Sequence, residues 1–245
     1  GGRCVAGPAL FWDNETTLLL PPAEEPRPLE LVRRALGTKP EPAARLFRRE
    51  LRRALVREAL AREGRTAEAT GLSGAVLVTS RETFQQVGPF DERFRLYYEE
   101  NDWQLRLRAG GGRLLFVGEA HVVHRYAQSA QRESQAEAWF RESERMYYAK
   151  HFGEAGLRAL SRAAGEAPSQ CGPPRREASR WPDGREAIVA ISPFASFRPF
   201  VLARPGPERT TFSLPPDVRL RHAGSEWFVR AVDARTFETL DEALV

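Results

Sequence analysis

A change in apolar spacing along the chain constrains its fold more than any other feature. As far as about residue 164, short apolar runs alternate with longer segments of helical period. Beyond residue 185 only strand-like runs remain. The short runs are 5–12, 17–20, 72–80, 113–118 and 120–124. Between them, helical spacing is read at 29–36, 41–64, 81–87, 101–109 and 131–152, with a helical tail to about 164. Strands alternating with helices predict an α/β layer structure. The stretch "GEAPSQCGPPRREASRWPDG" (165–184) has the composition of a linker. After it, strands at 186–192, 197–204, 210–215 and 226–234 predict a small all-β, sandwich-like domain. The expected organisation is therefore an α/β part at 1–164 with a helical insertion at 27–66, a linker at 165–185, and an accessory β-domain at 186–245.

Two helices carry clear stripes. In 41–64, Leu46, Phe47, Leu51, Ala54, Leu55 and Ala59 share a face, Pro42 suits the first turn, and Gly64 suits the end. Its seven arginines against three glutamates between Ala43 and Glu63 read first as a solvated face; a phosphate- or membrane-facing surface is the alternative. In 131–152, the stripe Ala136, Trp139, Phe140, Ser143, Met146 and Tyr147 reads as core.

With 42% hydrophobic and 29% charged residues, and no apolar run of about 20 residues, the chain reads as soluble. Its net charge of +4 is carried by arginine, since Lys39 and Lys150 are the only lysines. No nucleic-acid-binding motif accompanies that charge, so no nucleic-acid partner is expected. Cys4 and Cys171 have no metal-site spacing; a disulfide between them stays open but has no supporting pattern, and a reducing cytoplasm is the simpler setting. The chain opens on Gly1 with a buried-strand pattern and contains one methionine, Met146, so it reads as a fragment of a longer protein.

The segment "YYEENDWQLRLRAGGG" (97–112) crowds Glu99, Glu100 and Asp102 at a helix start. Free N–H groups there favour negative charge, and Asp102 with Arg106 forms an i,i+4 pair. That accounts for Asp102 but not for two adjacent glutamates, only one of which can use a given cap position. The other is free to face a cleft, where a carboxylate can act as a general base.

From 72 to 153 the order of motifs resembles the second half of the catalytic domain of family 2 glycosyltransferases, rhamnosyltransferase-like members in particular. Gly74-Ala75, the turn Gly88-Pro89-Phe90-Asp91-Glu92, the acids Glu99-Glu100-Asn101-Asp102, then Arg106, Arg108, His124 and Ser129 follow that family's order, and "RMYYAKHFG" (145–153) resembles the end of such domains. Residues 5–20 match more loosely. The resemblance implies a partial GT-A (nucleotide-diphospho-sugar transferase) fold, a nucleotide-sugar donor such as dTDP-rhamnose, a glycan or lipid-linked acceptor, and a divalent metal, Mn²⁺ or Mg²⁺. It assigns Glu100 as catalytic base, in place of the family's usual aspartate. Gly74, Ala75, Asp91, Glu99 and Asp102 are implied to be substrate-binding, and His124 a metal ligand; a surface or core role is the alternative for His124. It also implies a bacterial enzyme of cell-envelope polysaccharide synthesis, cytoplasmic or peripheral to the inner membrane.

One departure stands out. The family's Asp-x-Asp metal motif is missing: "GGRCVAGP" matches the strand just downstream of it, and "WDNE" (12–15) lies too late. The chain is thus expected to hold the acceptor side of a site without the donor clamp, and to be inactive alone. The second reading is a non-catalytic carbohydrate-binding or interaction module. Trp227, Phe228 and Phe237 are read first as core and alternatively as sugar-stacking rings.

Overall fold

The computed structural model describes residues 2–36, 40–125, 135–163, 173–194, 197 and 199–245. Ser129, Cys171, Lys39 and the first part of the expected linker lie outside them. Strand β1 (Cys4–Phe11) is central. On one side it pairs in parallel with β5 (Arg113–Val123), from Cys4 opposite Arg113 to Phe11 opposite Val123. On the other it pairs antiparallel with β4 (Val78–Thr79) near its start and with β2 (Leu18–Leu19) near its end. Asp13 shapes the β1–β2 turn: its buried carboxylate accepts from the Thr17 and Leu18 amides at 3.0 and 2.7 Å and from Thr17 Oγ1 at 2.7 Å. The two runs expected at 113–118 and 120–124 are one strand with a bulge, since register shifts between Pro8 and Ala9, with Pro8 opposite Val117 and Ala9 opposite His121. Strand β3 (Thr66–Glu68) closes this edge by pairing with β5.

The helices follow their expected spans closely: α1 (Pro28–Leu36), α2 (Pro40–Arg62), α3 (Arg81–Val87), α4 (Glu99–Ala109) and α5 (Ala136–Ala163). Gly153, at φ 56°, breaks α5 where the sequence places the end of the long helix. The apolar face of α2 is buried through Phe47, Leu51 and Ala54, and that of α4 through Trp103 and Leu107.

The sandwich-like domain expected at 186–245 is corrected by the strand pairing. The remaining elements are β6 (Ser179–Arg180), β7 (Ala187–Ser192), β8 (Val201–Ala203), β9 (Thr211–Phe212), α6 (Pro216–Arg221), β10 (Phe228–Asp233) and β11 (Thr239–Leu244). Strand β8 pairs with β2, Leu18 opposite Ala203 and Leu19 opposite Leu202, and the main sheet runs β11-β10-β7-β8-β2-β1-β5-β3. Among the described residues, β6 and β9 form a separate two-stranded sheet. All six residues of β7 are buried, as in a strand covered on both faces. One core cluster joins Phe47, Leu51 and Trp103 to Ile188, Phe197 and Leu202. Trp227 is buried edge-on against Trp12 at 4.6 Å, and Phe228 packs on Phe197; both belong to the core reading rather than to a stacking surface.

The buried strand expected at 72–80 is also corrected. Only Val78–Thr79 pairs, and Val78 is 63% exposed. The preceding backbone is held by a side chain instead of a strand: Gln104 Oε1 accepts from Leu72 N at 2.7 Å, and Gln104 Nε2 donates to Leu72 O at 2.8 Å.

Candidate functional site

The connection Gly110-Gly111-Gly112 turns α4 directly into β5, so the helix runs back along the strand. Gly111 takes φ 79°, and a Cβ on Gly112 would lie 2.3 Å from Leu107 Cδ1. The N-terminus of α4 therefore points toward the carboxyl ends of the parallel strands β1 and β5, the edge where α/β sheets bind ligands. His124 follows β5 at that same edge, its amide donating to Phe11 O at 2.8 Å.

The chain enters α4 through two successive left-handed residues, Tyr97 (φ 68°) and Tyr98 (φ 69°). Non-glycine residues pay for this conformation with strain, so neighbours must hold it. Tyr98 OH donates to Glu144 Oε1 at 2.9 Å, and its ring packs on Phe140 and Tyr147 from α5. The helix begins at Glu99, two residues before the sequence reading, and Tyr98 offers no side-chain cap.

Glu100 thus lies in the first turn. Its carboxyl packs on Gly74, where a Cβ would meet Glu100 Cγ at 2.9 Å. The structure brings these two sequence-predicted residues together through the Gln104 clamp on Leu72. Ala75 completes the turn, its amide donating to Ser73 Oγ at 3.3 Å. Glu99 and Glu100 each have a buried Oε2 without a hydrogen-bond partner among the described residues. Burial, and then the charge of Glu99, raise the Glu100 pKa to about 7 against the opposing hydrogen bonds from the amides of Glu100 and Asn101.

Asp102 is held instead by two cations and a histidine. It is fully buried, with Oδ2 2.9 Å from Arg106 Nε and Oδ1 2.5 Å from Lys150 Nζ and 2.8 Å from His151 Nε2. Burial raises its pKa, but hydrogen bonds from Lys150, His151 and Arg106 outweigh that and hold the carboxyl below its usual value. Lys150 also lies 2.8 Å from Asp91, whose carboxyl is held well below the usual range by Arg93 first and Lys150 second. Arg106 donates onward to Val87 O at 2.6 Å and Pro89 O at 2.7 Å, and Trp103 Nε1 to Gly88 O at 2.8 Å. The Gly88–Asp91 turn, α4 and α5 are thereby tied into one unit. Sequence reasoning missed Gln104, Lys150 and His151; only the rarity of lysine in this chain set Lys150 apart.

His124 has its pKa lowered by burial, which favours the neutral, ligand-competent imidazole. Among the described residues, no group of three or more His, Cys, Asp or Glu side chains is gathered to hold a metal ion. These residues do not form a divalent site by themselves. No helix among them is long and apolar enough to cross a membrane.

No protein-family model and no solved structure matches the chain. It is similar to N-acetylglucosaminyl-diphospho-decaprenol L-rhamnosyltransferase from two strains of Mycobacterium tuberculosis, 42% identical over 62 residues. That stretch spans 25% of this chain and 20% of the relative. Over it, the chain is related to a glycosyltransferase.

Proposed function

We propose that this chain carries the acceptor side of a GT-A glycosyltransferase site, with Glu100 as general base. The observation that carries this reading is the half-buried Glu100, its Oε2 enclosed and its carboxyl seated on Gly74 at the strand-end edge of the sheet, with a pKa raised to about 7. A base is most effective when its pKa lies near the working pH. Glu100 accepts the proton of an acceptor hydroxyl as that oxygen forms a bond to the anomeric carbon of a nucleotide sugar. The bond from that carbon to the diphosphate oxygen breaks, and its electron pair leaves with the nucleoside diphosphate. The motif order and the partial similarity to a rhamnosyltransferase support L-rhamnose as the sugar and a glycan or lipid-linked acceptor.

Within this reading, Glu99 and Ala75 border the acceptor, while Asp91 and Asp102 act by positioning α4. A divalent ion belongs to the proposal only as a partner of His124, with its other ligands supplied from outside the described residues; no step is assigned to it. The protein would work in the cytoplasm at the inner-membrane surface, where a lipid-linked acceptor is presented. The test is transfer of labelled rhamnose from dTDP-rhamnose to an N-acetylglucosaminyl-diphospho-lipid by the gene product that contains this chain. Absence of transfer from any nucleotide sugar, with glycan binding retained, would favour the binding-module reading.

Gly74→Ala provides a second measure. The added Cβ displaces Glu100 rather than a flexible chain end, since Cγ, Cβ and Cδ all lie within 3.1 Å of it. Misplacing a catalytic group by about 1 Å costs up to roughly 10²-fold in rate. Turnover should fall on that scale, with a stability loss of about 1–3 kcal/mol. Unchanged kcat would show that the Gly74 contact does not position the base.

A further inference from the structure

A second cleft, of ≈ 310 Å³, lies in the C-terminal part of the chain and shares no residue with the site around Glu100. It is bordered by α6, the turn after it, and the backbone at Arg176 and Glu177. Two rings line it, His222 at 5% exposure and Trp227 at 4%. They pack on each other and on Trp12, with centroids 4.6 to 5.4 Å apart. The Trp12 indole donates to His222 Nε2 at 3.3 Å, so in the neutral ring the hydrogen sits on Nδ1. Burial first, and the charge of Arg221 second, lower the His222 pKa and favour that neutral ring. His222 Nδ1 and Trp227 Nε1 are both enclosed and have no hydrogen-bond partner among the described residues. An enclosed donor without an acceptor costs stability. Two of them on residues of one cleft point to an acceptor that comes from outside the chain.

The rim supplies charge. Arg176 is paired with Asp241 at 2.9 Å, whereas Arg219 uses one donor on the backbone oxygen of Glu177 at 3.0 Å and has no ion-pair partner among the described residues. We propose that this cleft binds a short-chain carboxylic acid, with His222 Nδ1–H and Trp227 Nε1–H donating to the carboxylate, Arg219 giving the counter-charge, and Leu214 receiving the apolar body. One unpaired arginine suits a single negative charge, and Glu177 at the same rim disfavours the double charge of a phosphate. The volume is that of a small-molecule site. The exposed Ala223–Ser225 turn lines the mouth, closed by the hydrogen bond from Ser225 N to His222 O at 3.0 Å, and the space beside Gly224 (φ 85°) is open. Yielding of this turn brings a ligand oxygen to the two enclosed donors. The proposal does not depend on the glycosyltransferase reading.

The test is titration of the gene product that contains this chain, labelled with ¹⁵N-tryptophan, with butyrate, butyramide and inorganic phosphate. Butyrate should bind most tightly and move the Trp227 indole N–H resonance downfield, as a new hydrogen bond requires; Trp227→Phe assigns that resonance by removing it. Arg219→Met keeps the stem and removes the charge, and it should weaken butyrate by about 10- to 100-fold, as expected for losing a charge-assisted hydrogen bond. Arg219→Lys should recover part of the loss. Trp227→Phe, which removes one donor, should weaken butyrate by about 10-fold, and Glu100→Gln should bind like the parent. Circular dichroism of the variants separates lost binding from lost fold; if Trp227→Phe does not fold, Arg219→Met and the indole resonances of the parent still decide. Butyrate that does not bind, or whose binding ignores Arg219→Met or leaves the Trp227 resonance in place, overturns the proposal. Butyramide binding as tightly as butyrate would remove the anion from it, and tighter binding of phosphate would overturn the carboxylate assignment.

Discussion

Glu100→Gln should lower kcat by about 10²–10⁴-fold, the usual cost of removing a general base, while making the fold more stable above neutral pH. The two effects have opposite signs because they come from one property of the carboxyl. In the folded protein its pKa is raised from 4.5 to about 7, so the folded state binds the proton more tightly than the unfolded chain. Stability from this group is fully present below about pH 4.5 and is lost as pH rises through 7. Above that, the ionised carboxylate costs the fold on the order of a few kcal/mol. Glutamine carries no such charge, so the variant should lose this part of the decline in stability between pH 5 and 7 and unfold at higher denaturant than the parent at pH 8. The parent's kcat/KM should rise with pH through a limb near 7, as a base must be ionised to act. Glu99→Gln, by removing the neighbouring charge, should shift that limb to lower pH. A Glu100→Gln enzyme that keeps its rate, or that is less stable than the parent at pH 8, would contradict the assignment.

How much of this was legible in the sequence depended on whether a feature is local. Helix α2 was, because Leu46, Phe47, Leu51 and Ala54 repeat at helical spacing and Pro42 and Gly64 mark its ends. The start of α4 was read two residues late, because tyrosine has no preference for the left-handed conformation that Tyr97 and Tyr98 adopt. Period-two runs identified strands in the C-terminal part, yet period defines the faces of a strand and not its edge partner, so the pairing of β8 with β2 was invisible. The apolar run at 72–80 looked like a strand because nothing local announces that a glutamine 32 positions away would take Leu72's backbone bonds. At the candidate site, the motif order pointed to Glu100, whereas its contact with Gly74 and the clustering around Asp102 are products of packing. Lys150 and His151 lie 48 and 49 positions beyond Asp102 in sequence, and no spacing rule links them.

Asp102→Ala should be among the most destabilising single changes in the α4 region, by about 2–4 kcal/mol, because it leaves the half-buried Arg106 and Lys150 without their counter-charge. That corresponds to a fall in melting temperature on the order of 10 °C for a chain of this size. The i,i+4 pair with Arg106 alone would account for only about 0.3–0.5 kcal/mol. The excess is assigned to Lys150 and His151, both on Oδ1 of a carboxylate with no exposed surface. Lys150→Met should cost less than Asp102→Ala, since Arg106 and His151 still satisfy the acid. In the double variant the losses should fall short of additive, the mark of a shared network. A loss below about 1 kcal/mol for Asp102→Ala would reduce this residue to an ordinary helix-start acid. Its folded pKa is depressed, so its contribution is present above the ordinary aspartate pKa and fades as acid protonates it; the gap between parent and Asp102→Ala should therefore narrow toward low pH. Activity should decline with stability here, because Arg106 and Lys150 tie the Gly88–Asp91 turn and α5 to the helix that carries Glu100. At Glu100 the two readouts separate, activity collapsing while stability rises, and that contrast between acids two positions apart distinguishes a base from the residue that holds its helix in place.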